Sequence, residues 1–232
     1  MKALVLAAGK GTRLAPYTDD RPKVLIDIAG KPFLYYVLNN LKKAGITDIG
    51  IIVGYMKDMV KKFVDEEGFK VTFIEQKDQH GTGHAVMTAK EWIGKEDFIL
   101  LMGDNLYSEK DIAILSKMKD EFIHIAAFKS NHPQDYGVLE TDGHTLIKIH
   151  EKPSQPKNNL VNTGLYKLKA KILDTLVRIK RSPRGELELT DAITNLANYG
   201  DVKVYEIKDY WIDMSVKEDI PKIEEEIKKL GL

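Results

Sequence analysis

The sequence predicts an α/β protein: a Rossmann-like, doubly wound, mainly parallel sheet carrying a smaller mixed or antiparallel lobe. Two observations lead there. Short apolar runs at 3–6, 49–53, 71–74, 98–102 and 123–128 alternate with amphipathic helical patterns at 33–44, 57–66 and 82–92, as expected for strands buried on both faces and joined by helices. From Tyr136 onward the texture changes to closely spaced extended segments at 137–140 and 146–150, then 161–168 after the Pro-rich linker 153–156. That second texture indicates the mixed or antiparallel lobe.

Taken in order, the first nine residues form an apolar run far too short for a membrane span, and a Gly-Lys-Gly turn follows directly. They read as a buried strand. Helical patterns return at 172–179 and 190–199, with a strand at 202–207 and a closing Glu/Lys-rich helix at 216–230. This last helix reads as a solvated, amphipathic lid on the core. No internal repeat or Gly/Ser tract separates independent units. The expected organisation is therefore one domain, with a first half at about 1–130, a lobe at about 131–215 and a terminal helix at 216–232.

Composition narrows the function classes. The 232 residues can bury a substantial core, and 35 Lys plus Arg balance 35 Asp plus Glu. There is thus no net basic field to hold a nucleic-acid backbone. Cysteine is absent, which removes disulfide frameworks, thiolate metal sites and cysteine nucleophiles. No nucleic-acid or membrane partner is expected, and a cytoplasmic setting is.

The chemistry-bearing residues begin where the first strand ends, at Ala8-Gly9-Lys10-Gly11-Thr12-Arg13-Leu14, with Arg21-Pro22-Lys23 shortly after. Glycines there let backbone N–H groups approach phosphate oxygens, and Arg13 and Lys23 add charge. The loop is neither of the two common nucleotide motifs. A dinucleotide fingerprint needs a glycine where Leu14 stands, and a P-loop needs Gly-Lys-Ser/Thr after four intervening residues. Further on, Phe98 to Met102 is an apolar strand ending in Gly103-Asp104. Ligands of open α/β sheets collect at the carboxyl ends of strands, so Asp104 points to the cleft as a metal ligand, unless it serves only as a turn residue. Gln76 follows the third strand, and its amide offers the donor and acceptor that would read the O4/N3 edge of uracil or thymine. Thr82 in Gln79-His80-Gly81-Thr82-Gly83-His84 is alternatively the cap of the next helix, and His84 reads as a packed or surface helix residue.

Together, the segment 6–14, Arg21-Pro22-Lys23 and Gly30-Lys31-Pro32 resemble the amino-terminal signature of the sugar-1-phosphate nucleotidyltransferase family. The resemblance extends to about Asp213. It implies that Ala8, Gly9, Gly11 and Thr12 wrap a nucleoside triphosphate, with Arg13 and Lys23 offsetting charge at the α-phosphate and pyrophosphate. Gln76, Gly81 and Thr82 would contact the base, as in the family's uridylyl- and thymidylyltransferases. Asp213, in Trp211-Ile212-Asp213, would join Asp104 in holding Mg2+, although Trp211 also reads as ordinary core. Gly137, Glu151, Lys152, Asn162, Thr163 and Tyr166 would form the sugar 1-phosphate site in the second lobe, with Lys152 gripping the phosphate. The segment 186–191 also resembles a stretch near the sugar, unless Glu188 simply begins an exposed helix.

What the resemblance implies is an enzyme that joins a sugar 1-phosphate, glucose 1-phosphate or a relative such as N-acetylglucosamine 1-phosphate, to UTP or dTTP and releases pyrophosphate. Many family members continue into a left-handed β-helix, whereas this sequence ends at Leu232 without a hexapeptide repeat, so no acetyltransferase activity is expected. Pyrophosphorylases making GDP-mannose or CDP-type sugars are rivals, and Gln76 with Gly81-Thr82 argues against them. A non-catalytic nucleotide-sugar-binding subunit would be free to lose Arg13, Lys23, Asp104 or Asp213, yet all four are present. A homo-oligomer is compatible with the sequence but not specified by it.

Overall fold

A computed structural model describes residues 1–232. The first strand, β1 (Lys2–Leu6), is central, and its residues alternate between two cores: Ala3 and Val5 enter one, Leu4 the other. Such alternation is the period-2 consequence of a strand covered on both faces. After the loop that follows β1 come the short hairpin strands β2 (Asp27–Ile28) and β3 (Lys31–Pro32), then α1 (Phe33–Lys43), β4 (Asp48–Val53), α2 (Lys57–Glu66) and β5 (Thr72–Glu75). The chain continues through α3 (Thr82–Thr88), α4 (Lys90–Ile93), β6 (Phe98–Met102), β7 (Asn105–Tyr107), α5 (Glu109–Lys117) and β8 (Ile123–Lys129). The remainder is β9 (Gly137–Asp142), β10 (Thr145–Glu151), β11 (Leu160–Leu168), α6 (Ile172–Arg178), α7 (Leu189–Ala197), β12 (Val202–Glu206), β13 (Trp211–Asp213) and α8 (Ile220–Leu230).

Nine strands form one sheet in the order β5-β4-β1-β6-β11-β8-β12-β10-β9. Pairings among β5, β4, β1 and β6 are parallel, and β12 runs parallel to β8, while β11 lies antiparallel between β6 and β8. Helices α1, α2, α5 and α8 cover one face; α3, α4, α6 and α7 cover the other. The strands of the second lobe thus enter the same sheet, and β11 separates two strands, 98–102 and 123–128, that the sequence assigns to one doubly wound half. No helix is long and apolar enough to cross a membrane.

Several element boundaries differ from expectation for identifiable reasons. The helix expected at 82–92 breaks at Ala89 into α3 and α4. The closing helix starts at Ile220, where Pro221 occupies its first turn, and Lys217–Asp219 is a separate 3-10 turn. As an amphipathic lid it buries one face, with Ile220, Ile223 and Ile227 in the first core. The sequence reading passes over α5, whose narrow apolar stripe, Ile112 and Leu115, is obscured by the buried Asp111 beside it. Its start is nonetheless marked, because the Ser108 hydroxyl caps the helix by accepting from the Lys110 N–H at 3.1 Å.

Candidate active site

The parallel part of the sheet delivers its strand ends to one edge. There the loop after β1 is pinned from both sides: Ala7 N–H donates to Ile52 O at 2.9 Å, and Gly103 N–H donates to Leu6 O at 2.9 Å. Gly11 adopts φ +67°, and a Cβ on it would stand 2.7 Å from Lys23 Cβ. Only glycine fits there without strain. Lys23 therefore runs beneath the glycine loop, and its ammonium ion-pairs with Asp104 at the end of β6. Burial works to raise the Asp104 carboxyl, but the Lys23 charge and hydrogen bond outweigh it, leaving Asp104 below the usual aspartate range. Arg13 sits exposed on a 3-10 turn, Thr12–Leu14, and lines the same cleft.

Asp213 reaches Asp104 through a second, two-stranded ladder. Strand β13 pairs antiparallel with β7, with Asp213 opposite Asn105, and Met214 N–H donates to Asp104 O at 3.0 Å. The Trp211 indole N–H donates to Asn105 Oδ1 at 2.6 Å, and the Asn105 amide donates to Asp104 Oδ1 at 3.3 Å. Trp211 also packs edge-on against Tyr136, 5.2 Å between ring centres, so it is a wall of the cleft as well as a core residue. Burial pushes the Asp213 carboxyl above its ordinary value; the Ser215 hydroxyl, donating at 2.5 Å, opposes this, and the Asp104 charge reinforces it. No group of three or more His, Cys, Asp and Glu side chains is placed so that it could hold a metal ion. The acidic centre is a dyad.

Just beyond β5, Gln76 is 4% exposed, and its amide nitrogen contacts Gly81 O at 3.2 Å and His84 Nδ1 at 2.9 Å. Both amide hydrogens are thereby used, leaving Oε1 as the free polar atom. The sequence-based pairing of donor and acceptor on Gln76 is reduced to an acceptor, with His84 as the residue that orients it. Burial, then the neighbouring His80, lowers the His84 pKa, which keeps the imidazole neutral and able to accept. Thr82 is not the cap of α3: Gly81 occupies that position, and the Thr82 hydroxyl instead accepts from the Leu189 N–H at 3.0 Å.

Opposite the dyad, the second lobe contributes the rest of a cleft of about 890 Å³. Gly137 pairs with Glu151 across the β9–β10 ladder, and a Cβ on Gly137 would lie 3.2 Å from Glu151 Oε2. Lys152 follows at the strand end with φ +43°, its N–H held by Tyr136 O at 3.0 Å. This is sparsely populated backbone for a side-chain-bearing residue, and it sends Lys152 into the cleft lining. Strand β11 bulges between Asn162 and Tyr166. There the Asn162 amide donates to the Tyr166 hydroxyl at 2.7 Å, and the Thr163 hydroxyl is tied to Ala126 O at 2.9 Å. Thr163 and Tyr166 are both buried, at 3% and 1% exposed, so they present only edges to the cleft. Glu188 is not a solvated helix start: it accepts from Arg184 at 2.7 Å and from Ser182 at 3.3 Å on the cleft wall. Arg184, Tyr136 and Ser215 line the cleft without any signal in the sequence beyond their neighbours.

A sheet of this topology with a glycine loop, a lysine and one aspartate at its strand ends, and a second aspartate brought to them by the β13–β7 ladder, defines a nucleotidyltransferase class of protein. Residues 2–229 match the family model described as Nucleotidyl transferase, and the chain belongs to that family. It is 41% identical over 217 residues to a bifunctional sugar-1-phosphate nucleotidylyltransferase/acetyltransferase from Sulfurisphaera tokodaii, covering 92% of this chain and 52% of that one. It is 38% identical over 223 residues to a bifunctional protein GlmU of Methanococcus maripaludis, covering 95% and 53%. The chain thus spans about half the length of these relatives. Among solved structures, UDP-glucose pyrophosphorylase from Acinetobacter baumanii superposes with a TM-score of 0.84 over 97% of this chain and 92% of that one, at 24% identity. That likeness bears on the fold alone.

Proposed function

We propose that this protein transfers a nucleotidyl group from UTP or dTTP to a sugar 1-phosphate, giving a nucleotide-diphospho-sugar and pyrophosphate. The observation that carries the reading is the convergence of Lys23, Asp104 and Asp213 beneath a glycine loop, across one cleft from Glu151 and Lys152. The first half, about 1–130, would hold the nucleotide and the lobe at about 131–215 the sugar phosphate.

A phosphate oxygen of the sugar 1-phosphate is anionic near neutral pH, so attack in line on the α-phosphorus needs no Ser, Cys or His activation. Positioning and charge neutralisation carry the rate. Backbone N–H groups of 8–12 face the triphosphate, while Arg13 and Lys23 offset charge as the bond to pyrophosphate breaks. Lys152 holds the attacking phosphate, and Glu151 accepts from sugar hydroxyls over Gly137. Asn162, Thr163 and Tyr166 shape that pocket. In the base pocket Gln76 Oε1 accepts the N3–H of uracil or thymine, beside Gly81 and Thr82; guanine presents a different edge.

Asp104 and Asp213, the latter raised in pKa by its burial, are an oxygen donor pair suited to Mg2+. Bound between Asp104 and Asp213, Mg2+ would supply charge stabilisation for the transferring phosphoryl group. Lys23 would then be released from Asp104 to face the phosphates.

The test is a matrix of UTP, dTTP, CTP and GTP against glucose 1-phosphate and N-acetylglucosamine 1-phosphate, read as pyrophosphate release with and without Mg2+. Release confined to UTP or dTTP and dependent on Mg2+ is expected. No release with any pair refutes the activity, and equal rates with GTP and UTP refute the base reading.

A further inference from the structure

One buried carboxylate takes no part in the chemistry above. Asp111, 0% exposed in the first turn of α5, forms no salt bridge. Its Oδ1 accepts from the Tyr205 hydroxyl at 2.6 Å and the Lys208 N–H at 2.9 Å, and its Oδ2 accepts from the Asp209 N–H at 3.1 Å. A buried carboxylate is costly unless its oxygens are hydrogen-bonded, and here every donor comes from one short stretch, 205–209. The same stretch is fastened a second time at the start of α5. The Ser108 hydroxyl donates to Asp209 Oδ2 at 3.1 Å, and the Ser108 N–H donates to Tyr210 O at 3.2 Å.

The residue after this clamp is the first of β13. Its register against β7 is Trp211 to Tyr107, Ile212 to Leu106 and Asp213 to Asn105. A slip of one residue would turn each side chain to the opposite face. Asp213 would leave Asp104, and Ile212, 4% exposed, would leave the core. The ladder strand β13 is itself only three residues long, so it has little power to hold its own register.

We propose that Asp111 is a positioning residue: by anchoring 205–209 to the start of α5 it sets the register of β13 on β7, and so the approach of Asp213 to Asp104. This rests on the reading of those two aspartates as the metal dyad.

The experiment compares Asp111→Ala and Asp111→Asn with the unaltered protein. Mn2+ binding in the presence of UTP is read by electron paramagnetic resonance, and amide hydrogen exchange at 211–214 is read in parallel. Removing a residue that orients a metal ligand typically weakens metal affinity about 10–100-fold, so Asp111→Ala should bind Mn2+ about tenfold more weakly and exchange faster at 211–214. Metal-free UTP binding should be unchanged, and excess Mg2+ should restore turnover. Asp111→Asn keeps the volume but sets an N–H against a backbone N–H, so it should shift both readouts in the same direction by less, and it serves if the alanine variant does not fold. Unchanged Mn2+ binding and exchange, or a loss of turnover that Mg2+ does not restore, overturns the proposal. If the unaltered protein releases no pyrophosphate, the functional reading fails instead, and the exchange at 211–214 still judges the register.

Discussion

Replacing Gly81 by alanine strikes the proposed base pocket and the segment behind it together. Gly81 has φ +97°, and an added Cβ would stand 2.7 Å from Leu187 O, 2.9 Å from Glu186 Cβ and 3.0 Å from Leu187 N. Backbone atoms cannot swing aside, so the loop at 80–83 must part from 186–189. With φ +97° and ψ 176° the backbone lies in a region essentially restricted to glycine, and holding a side chain there costs about 1–3 kcal/mol. Parting also strains two bonds, Gly83 N–H to Leu187 O at 2.7 Å and Leu187 N–H to His80 O at 2.8 Å, each worth about 1 kcal/mol. The expected loss is about 3–5 kcal/mol, which for a domain of this size lowers the melting temperature by about 6–20 °C. Gly94→Ala is the control: its φ of +63° and ψ of −124° also favour glycine, but nothing lies within 4 Å of the new Cβ, so only the conformational cost of about 1–3 kcal/mol applies. Thermal melts of both variants, with pyrophosphate release from UTP, provide the measurement. If Gly81→Ala melts no lower than Gly94→Ala, the contact between the base loop and 186–189 is not holding the pocket.

Three further outcomes are expected. Gln76→Ala should lower kcat/KM for UTP by about 10–100-fold, the range for losing a buried hydrogen-bond partner, with little change in the sugar-phosphate KM; an unaltered preference among nucleotides would remove Gln76 from base recognition. Lys152→Ala should raise the sugar 1-phosphate KM by a similar factor, since a charge-assisted bond is lost, while calorimetry finds UTP binding intact. Asp104→Asn and Asp213→Asn should each cut turnover and raise the Mg2+ requirement, and the double variant should lose much less than the product, because residues sharing one ion act as a unit. Their stabilities should diverge. Asp104, held below its ordinary pKa, stabilises the fold above the unfolded value and loses this as pH falls, so Asp104→Asn destabilises the metal-free protein near neutrality. The Asp213 pKa is raised, so its favourable contribution is present in acid and lost as pH rises through the folded value. Asp213→Asn should therefore leave metal-free stability unchanged or higher, and half-activation by Mg2+ in the unaltered protein should need more metal as pH falls into the range just above the usual aspartate pKa. A Mg2+ requirement independent of pH down to that range would contradict this.

Residues 2–14 and 98–104 were legible in the sequence because each is a strand followed at once by its functional loop, and both the period of a buried strand and the conformational demand of a glycine turn are local properties. The resemblance gave the remaining candidates an order along the chain but no distances between them. The sequence could not say that β11 enters the sheet between β6 and β8, because a strand buried on both faces carries the same apolar run whichever neighbour it pairs with. Nor could it say that Gln76 spends its donors on Gly81 and His84 rather than on a base. The pairing of β13 with β7 joins Trp211 to Asn105 across 106 residues, and α5 hid behind Asp111, whose burial makes sense only once Tyr205, Lys208 and Asp209 supply its hydrogen bonds. Local propensity and turn chemistry thus determined where the strands, the glycine loop and Asp104 lie. The resemblance names Asp213 as the partner of Asp104, but the register that brings the two together was decided only by the tertiary structure, since a contact between distant segments depends on the closure of the whole chain and leaves no periodic trace in either segment.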